Sequence, residues 1–317
     1  MRLGFVGAGN YASSMLLPHL TKRPDVSLAH VATNRSLSAL NAQRKFGFES
    51  TSTDAEAVLA DDSIDAIFIV TRHSSHAGLA CRALEAGKAV FVEKPLALSL
   101  EDVERILCTV DATGNDRLMV GFNRRFSPML TEMRSRFGTA RGAAVIRYLV
   151  NAGPLSAGSW YADASQEGTR FAGEGGHFID TASWWIGSDP EEVTATSAGG
   201  PDDVQVTLRY GDGSIATIAY LTTGHPRFPK ETFEVSGGGR SARLDNFKRG
   251  TVWSGRRRQT RRNFGAADKG QRAEIEAFLE SVRSGGPMPI PLGSLVATTR
   301  ATIGAGASLV TAATQTV

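Results

Sequence analysis

Lys94 stands in Glu93-Lys94-Pro95 at the end of an apolar run, and His177 stands in Gly173-Glu174-Gly175-Gly176-His177-Phe178-Ile179-Asp180. An ammonium group there can hydrogen-bond a substrate oxygen and stabilise a developing alkoxide, while an imidazole titrates near neutral pH and carries protons well. Alcohol oxidation needs a base for the hydroxyl proton while hydride leaves for a nicotinamide ring, and ketone reduction needs the reverse. Pro95 restricts Lys94 to an extended backbone. Glu174 precedes His177 by three residues and Asp180 follows it by three, so a helix would put them on one face. Lys94, His177 and Glu174 are therefore the candidate catalytic residues. For Glu174 the alternative is a capping carboxylate; for Asp180, a structural buried hydrogen bond against a role in fixing the His177 tautomer.

A hydride needs a carrier. Gly7-Ala8-Gly9-Asn10-Tyr11-Ala12 follows the apolar run Leu3 to Val6 and opens a predicted helix reaching Leu20. Gly7 permits a tight turn, Gly9 lets the backbone approach a pyrophosphate, and Ala12 is small enough for helix–strand packing. The helix N-terminus then offers N–H groups to the phosphates. The second predicted strand, Val26 to Ala32, ends in Thr33-Asn34-Arg35-Ser36, with no acid to take a ribose 2′-hydroxyl and an arginine in place. That favours NADP(H) over NAD(H), with Asn34, Arg35 and Ser36 near the 2′-phosphate. Thr71, His73 and His76 lie just past the strand Ile64 to Val70 and join Glu93 and Lys94 in the expected cofactor site. His76 is read equally as the start of the following helix.

The elements that must carry these residues alternate over the first 121 positions. Apolar strands at Leu3 to Val6, Val26 to Ala32, Ile64 to Val70, Ala89 to Val92 and Leu118 to Gly121 are separated by helical stretches. Strands apolar throughout, with helices between them, predict a doubly wound parallel Rossmann sheet over 1–121. From about Asn123 the rhythm changes. A long strand at Arg141 to Val150, a helix over Gly175 to Ile186 and five further strands between Val193 and Asp245 predict an α+β domain over 122–317. Its sheet should be open and mostly antiparallel. Helices near Lys269 to Ser284 and Gly293 to Leu309 close the chain.

Composition narrows the function classes. The chain has 317 residues, 41% hydrophobic and 21% charged, and a net charge of +3, too mild to imply nucleic acid. Arg249, Arg256, Arg257, Arg258, Arg261 and Arg262 crowd one polar segment, read as a solvated surface loop with a phosphate contact as the alternative. Cys81 and Cys108 have no metal-ligand spacing, so no metal site and a reduced, cytoplasmic setting are expected. Arg2 to Val6 already begins the first strand, so no leader is expected. No stretch holds the roughly 20 continuous apolar residues a membrane span needs.

Taken together, Gly7 to Ala12, Thr71-Arg72-His73-Ser74-Ser75-His76, Glu93-Lys94-Pro95 and His177-Phe178-Ile179-Asp180 resemble the glucose-fructose oxidoreductase / inositol dehydrogenase / rhizopine catabolism (Gfo/Idh/MocA) family over nearly the whole chain. The resemblance implies oxidation or reduction of a secondary hydroxyl on a sugar, nucleotide sugar or cyclitol, with Lys94 and His177 beside the nicotinamide, a cis Lys94–Pro95 bond, and a homodimer or homotetramer. The commoner family pattern places an aspartate four residues before the histidine. Gly173 stands there in this chain, and Glu174 is the candidate replacement. Asn123, Arg124, Tyr148, Asn151 and Trp160 are further candidates for substrate contact, since aromatic faces and amides suit sugar rings. Two other readings stay open: a glycosidase that retains its nicotinamide and cleaves by transient oxidation, and a non-catalytic dinucleotide sensor.

Overall fold

The computed structural model describes residues 1–138, 142–155, 158, 167–200 and 202–317. They form two units: Met1–Gly121 with Gln271–Val296, and Phe122–Gly270 with Ala297–Val317.

The first unit is built on a six-stranded parallel sheet. Its strands are β1 (Arg2–Val6), β2 (Ser27–Ala32), β3 (Ser50–Ser52), β4 (Ala66–Ile69), β5 (Ala89–Val92) and β6 (Leu118–Val120), in the order β3-β2-β1-β4-β5-β6. Every residue of β4 and β5 is buried, as expected of a sheet covered on both faces. Phe5, Phe68 and Phe91 stack across β1, β4 and β5 at centroid separations of 4.7 and 4.9 Å. Phe278 meets Phe68 and Phe91 edge-on at 5.5 and 5.6 Å, the two preferred ring geometries combined. Phe278 belongs to a helix, Gln271–Ser284, that the expected partition had assigned to the second domain. Burial against those rings is the physical reason this late segment clusters with the first unit.

Local chemistry sets the helix ends. The helix α5 (Leu100–Thr113) starts where the Ser99 hydroxyl accepts from Asp102 N–H at 3.1 Å and ends at Gly114 in the left-handed region. The helix expected after the glycine loop begins differently: Ala12–Leu16 is a π-helical turn, followed by one α-turn, α1 (Leu17–Leu20). Pro18 lacks the N–H that a regular ladder needs, which accounts for the irregular start. The remaining helices of this unit are α2 (Ser36–Phe46), α3 (Glu56–Leu59) and α4 (His76–Glu85).

The second unit carries a nine-stranded sheet. Its strands are β7 (Ala144–Asn151), β8 (Pro190–Ser197), β9 (Val204–Tyr210), β10 (Ile215–Leu221), β11 (Glu231–Gly237), β12 (Arg240–Asp245), β13 (Arg249–Ser254), β14 (Arg257–Arg262) and β15 (Gln315–Thr316). They lie in the order β14-β13-β12-β11-β7-β10-β9-β8-β15, and only β7 with β10 is parallel. Burial alternates along β9, so one face packs inward against α6 (Pro128–Phe137) and α7 (Arg170–Ile186). The helices Gln271–Ser284 (α8) and Leu292–Thr311 (α9) follow, the boundary between the units falling within α9.

Two expectations for this unit are corrected. The arginine-rich stretch is not a loop: β13 and β14 form a hairpin at the sheet edge, and all of β14 is exposed. Its side chains give no apolar alternation; backbone pairing makes this strand, with Thr260 hydrogen-bonded to Thr251 at 3.1 Å and Arg258 lying 5.8 Å over the Trp253 ring. Charged residues suit an edge that must not recruit another chain. Helix α7 starts at Arg170, not Gly175, because the Thr169 hydroxyl caps it by accepting from Ala172 N–H at 3.1 Å. Its glycines are there for close packing: a Cβ on Gly175 would lie 2.5 Å from the Phe171 ring, and one on Gly176 2.9 Å from the Phe122 ring.

Candidate active site

In the first unit the glycine loop leaves β1 under tight steric control. Gly7 has φ +97°, donates its N–H to Ala32 O at 2.8 Å, and would place a Cβ 2.2 Å from Val70 O. Only glycine fits. Gly9 is the opposite case: a Cβ there would meet nothing within 4 Å, so its surface is open. Asn10 is exposed, Ala12 is fully buried, and no side chain caps the helical turn that begins after Tyr11. The open backbone at Gly9, at the start of a helical turn with no side-chain cap, fits a dinucleotide phosphate.

At the end of β2, Asn34, Arg35 and Ser36 are exposed, and the Thr33 hydroxyl donates to Arg35 O at 2.8 Å. The Arg35 guanidinium has no ion pair among the described residues. Past β4, Thr71 Oγ1 shares a hydrogen bond of 2.7 Å with Ser75 Oγ, and His73 is buried in a short 3₁₀ turn. His76 opens α4. Its Nδ1 lies 2.7 Å from Pro95 O and its Nε2 3.3 Å from Thr71 O, so the neutral ring donates to one of these two carbonyls according to its tautomer. Burial pulls its pKa down to about 4, with the nearby His73 and Lys94 acting in the same direction. His76 is therefore a neutral strut between two loops, and the expected cofactor contact gives way to that role.

Glu93 and Lys94 follow β5. Glu93 is 5% exposed, its Oε1 has no hydrogen-bond partner among the described residues, and burial raises its pKa to about 7 against the opposing pull of Lys94. Gly121 makes room for it, since a Cβ there would lie 2.8 Å from Oε1. An orphaned carboxyl oxygen suits an amide donor such as that of a nicotinamide. The Lys94–Pro95 bond is cis, and Lys94 is half-buried. Because β1, β4 and β5 are adjacent and parallel, Gly7, Thr71 and Lys94 leave the sheet at one and the same carboxyl edge.

The second unit holds the histidine. His177 is 6% exposed on α7, with its ring 6.2 Å from Phe122 and 6.3 Å from Phe178. Glu174 lies on the same helical face and is partly exposed. Asp180 does not orient His177. It accepts from Arg125 Nε at 2.9 Å and Nη2 at 2.5 Å, a bidentate pair that is fully buried on the aspartate side.

Three of the expected substrate residues are also bound up in structure. Arg124 donates from Nε and Nη2 to Glu231 at 2.8 and 3.1 Å and lies 5.0 Å over the Phe178 ring. Tyr148 is 1% exposed and donates to Glu231 Oε2 at 2.9 Å. Asn123 donates to Lys269 O at 2.8 Å, and Lys269 itself pairs with Glu231. Burial opposes ionisation of Glu231, but Arg124 and Lys269 together hold its carboxyl well below the usual range. A phenol and two cations already engaged with one carboxylate are not placed to read a sugar ring. Asn151 is different: its Nδ2 donates to His225 O at 2.9 Å and its buried Oδ1 has no partner among the described residues. Trp160 lies outside the described residues. Among the described residues, no group of acidic, histidine and cysteine side chains could hold a metal, and no helix is long and apolar enough to cross a membrane.

Two family descriptions match the chain, "Oxidoreductase family, NAD-binding Rossmann fold" over residues 1–122 and "GFO/IDH/MocA C-terminal domain" over residues 130–243. The chain belongs to the Gfo/Idh/MocA oxidoreductase family. It is 33% identical over 230 residues to the inositol 2-dehydrogenase of Rhizobium meliloti (strain 1021), covering 69% of this chain and 68% of that protein. It is 36% identical over 147 residues to scyllo-inositol 2-dehydrogenase (NAD(+)) of Bacillus subtilis (strain 168), covering 46% of this chain and 40% of that protein. The structure of levoglucosan dehydrogenase in complex with NADH superposes with a TM-score of 0.84 at 22% identity, covering 100% of this chain and 99% of that one. That likeness speaks for the fold: this Gfo/Idh/MocA chain pairs the family's Rossmann sheet with its larger, mostly antiparallel one.

Proposed function

We propose that the protein is a nicotinamide-dependent dehydrogenase acting on a secondary alcohol or ketone carbon of a sugar or cyclitol. The observation that carries the reading is the alignment of Gly7, Thr71 and Lys94 at one carboxyl edge of the parallel sheet, with the unpartnered Glu93 oxygen beside Lys94. When bound, the nicotinamide supplies the acceptor or donor of hydride. Gly7, Gly9, Asn10, Tyr11 and Ala12 hold its phosphates, and Glu93 its amide. Lys94 hydrogen-bonds the substrate oxygen and stabilises negative charge on it. His177 takes the hydroxyl proton in oxidation and returns it in reduction. Glu174 accepts a hydrogen bond from a neighbouring hydroxyl. The inositol and levoglucosan dehydrogenases among the relatives support this substrate class.

The cofactor is assigned as NADP(H) on the exposed, ion-pair-free Arg35 and the absence of an acid at the end of β2. NAD(H) is the second reading, favoured by the relative named for NAD(+) and by the NADH complex of levoglucosan dehydrogenase. Comparing dissociation constants for NADPH and NADH decides: tighter NADH binding rejects the first. The activity itself is tested by following the reduced-nicotinamide absorbance with myo-inositol, scyllo-inositol, levoglucosan and a set of keto sugars. A flat trace with all of them, despite tight cofactor binding, would remove the dehydrogenase reading.

A further inference from the structure

Where β7 and β10 end side by side, the second unit gathers buried polar atoms that none of the roles above uses. Arg170 is 7% exposed at the start of α7; its Nη1 donates to Gly153 O at 2.6 Å, and its guanidinium lies 5.7 Å over the Tyr220 ring. The remaining Nε–Nη2 edge has the geometry that binds a carboxylate at two points. Nε has no acceptor among the described residues, and Nη2 stops 4.0 Å from Glu174 Oε1, one helical turn further on.

Tyr220, whose ring lies under that guanidinium, stands on β10. Its fully buried ring packs against Phe171 and Phe178 at 6.0 and 6.1 Å, and its hydroxyl makes no hydrogen bond of normal geometry among the described residues. Burial raises the pKa of that hydroxyl, and Glu174 acts in the same direction through its charge and a loose side-chain hydrogen bond. The Arg170 guanidinium and the Tyr220 hydroxyl thus both act on one carboxylate, and Glu174, with 28% of its side chain exposed, is the member a ligand can touch.

We propose that Arg170 and Tyr220 are positioning residues that fix Glu174 as the hydrogen-bond acceptor for a hydroxyl of a neutral polyol. Glu174 is the exposed member of the trio and Arg170 is buried, so the charge a ligand meets there is negative and disfavours an acidic sugar. Neutral polyols are therefore taken in preference to the corresponding uronates. The inference rests on the dehydrogenase reading, which supplies the reaction that this carboxylate orients.

The test is a double-mutant cycle of Tyr220→Phe and Glu174→Gln, with a parallel cycle of Arg170→Gln and Glu174→Gln, in cofactor-saturated protein. The readouts are kcat, KM and a calorimetric Kd for the neutral polyol of the panel that binds most tightly, beginning with myo-inositol. Each single substitution should weaken polyol binding about tenfold with cofactor affinity unchanged, and adding Tyr220→Phe to Glu174→Gln should cost nothing more. Tyr220→Phe keeps the buried ring, so the fold survives for the measurement. Costs that multiply in the double variants, single variants with unchanged polyol binding, tighter binding of a uronate, or no binding of any neutral polyol would each overturn the inference. Polyol binding without turnover by the unsubstituted protein would instead remove the dehydrogenase reading, while the calorimetric cycle still judges the trio.

Discussion

The two units bury their interiors by different means. In the first, the sheet is closed by apolar surface: four phenylalanines, Phe5, Phe68, Phe91 and Phe278, contact one another in a stack with an edge-on cap. Its chemical groups sit at strand ends, held by glycine geometry and backbone carbonyls. In the second, the helix that carries His177 is tied down by buried charge. Arg125 holds Asp180 on that helix, and Arg124 lies over Phe178 while paired to Glu231. Apolar packing tolerates small changes, whereas a buried ion pair fails when one member is lost. The first design leaves strand ends free for a ligand. The second fixes a helix at the cost of sensitivity to single charges.

The largest effect expected is on the chemistry of the first unit. Lys94→Met should lower kcat about a thousandfold or more, by removing charge stabilisation at the substrate oxygen, with little change in cofactor Kd. Steady-state kinetics with calorimetric cofactor binding checks both halves, and near-normal turnover would take Lys94 out of the mechanism. For stability the contrast should reverse. Glu231→Gln leaves the Arg124 and Lys269 cations without their carboxylate and should cost about 3 to 5 kcal/mol in a urea titration. Phe278→Leu in the first unit removes only ring-edge contacts and some volume and should cost about 1 to 2 kcal/mol. Equal losses would dissolve the distinction between the units.

That distinction also governs what the sequence could reveal. Strands buried on both faces spell themselves out as apolar runs, so β1, β4 and β5 and the glycine turn after β1 were legible. Pairings that close over long separations were not. Arg125 and Asp180 are 55 residues apart and Arg124 and Glu231 are 107 apart, and nothing local marks either as a partner. For the same reason Arg124 and Tyr148 read as pocket residues, and the return of Phe278 to the first sheet went unseen. Strand β14 lacks any apolar alternation. The early start of α7 was hidden by its glycines, two of which, Gly175 and Gly176, close packing requires, although Thr169 followed by Ala172 was a capping signal within reach. Arg170 carried no signal beyond its spacing to Glu174.

The glycine loop gives a smaller and sharper test of the first unit. Gly7→Ala drives a Cβ to 2.2 Å from Val70 O at φ +97° and should destabilise the unit as well as abolish cofactor binding. Gly9→Ala meets no protein atom within 4 Å, so the melting temperature should hold while cofactor Kd rises about tenfold or more. A Gly9→Ala variant with unchanged Kd would mean that no phosphate approaches that backbone.

The smallest effect is a cancellation, and it is informative because each half can be exposed separately. His76 is depressed from 6.5 to about 4 in the folded protein. The unfolded chain therefore takes up the proton first, so this histidine's contribution is complete above pH 6.5 and is lost as pH falls toward 4. Glu93 is raised from 4.5 to about 7, so its contribution is complete below pH 4.5 and is lost as pH rises through 7. Between roughly pH 4.5 and 6.5 the two slopes are opposite and each is about 1.4 kcal/mol per pH unit, so in cofactor-free protein they offset. Glu93→Gln should uncover a stability that rises with pH across that window, and His76→Gln one that falls. Urea midpoints at a series of pH values read both slopes. If both variants follow the unsubstituted protein, neither group is perturbed by burial as the structure implies. If instead the unsubstituted protein already rises with pH as Glu93→Gln does and His76→Gln is flat, His76 is the neutral strut described above and Glu93 is already ionised, which would make it a stronger partner for the Lys94 ammonium.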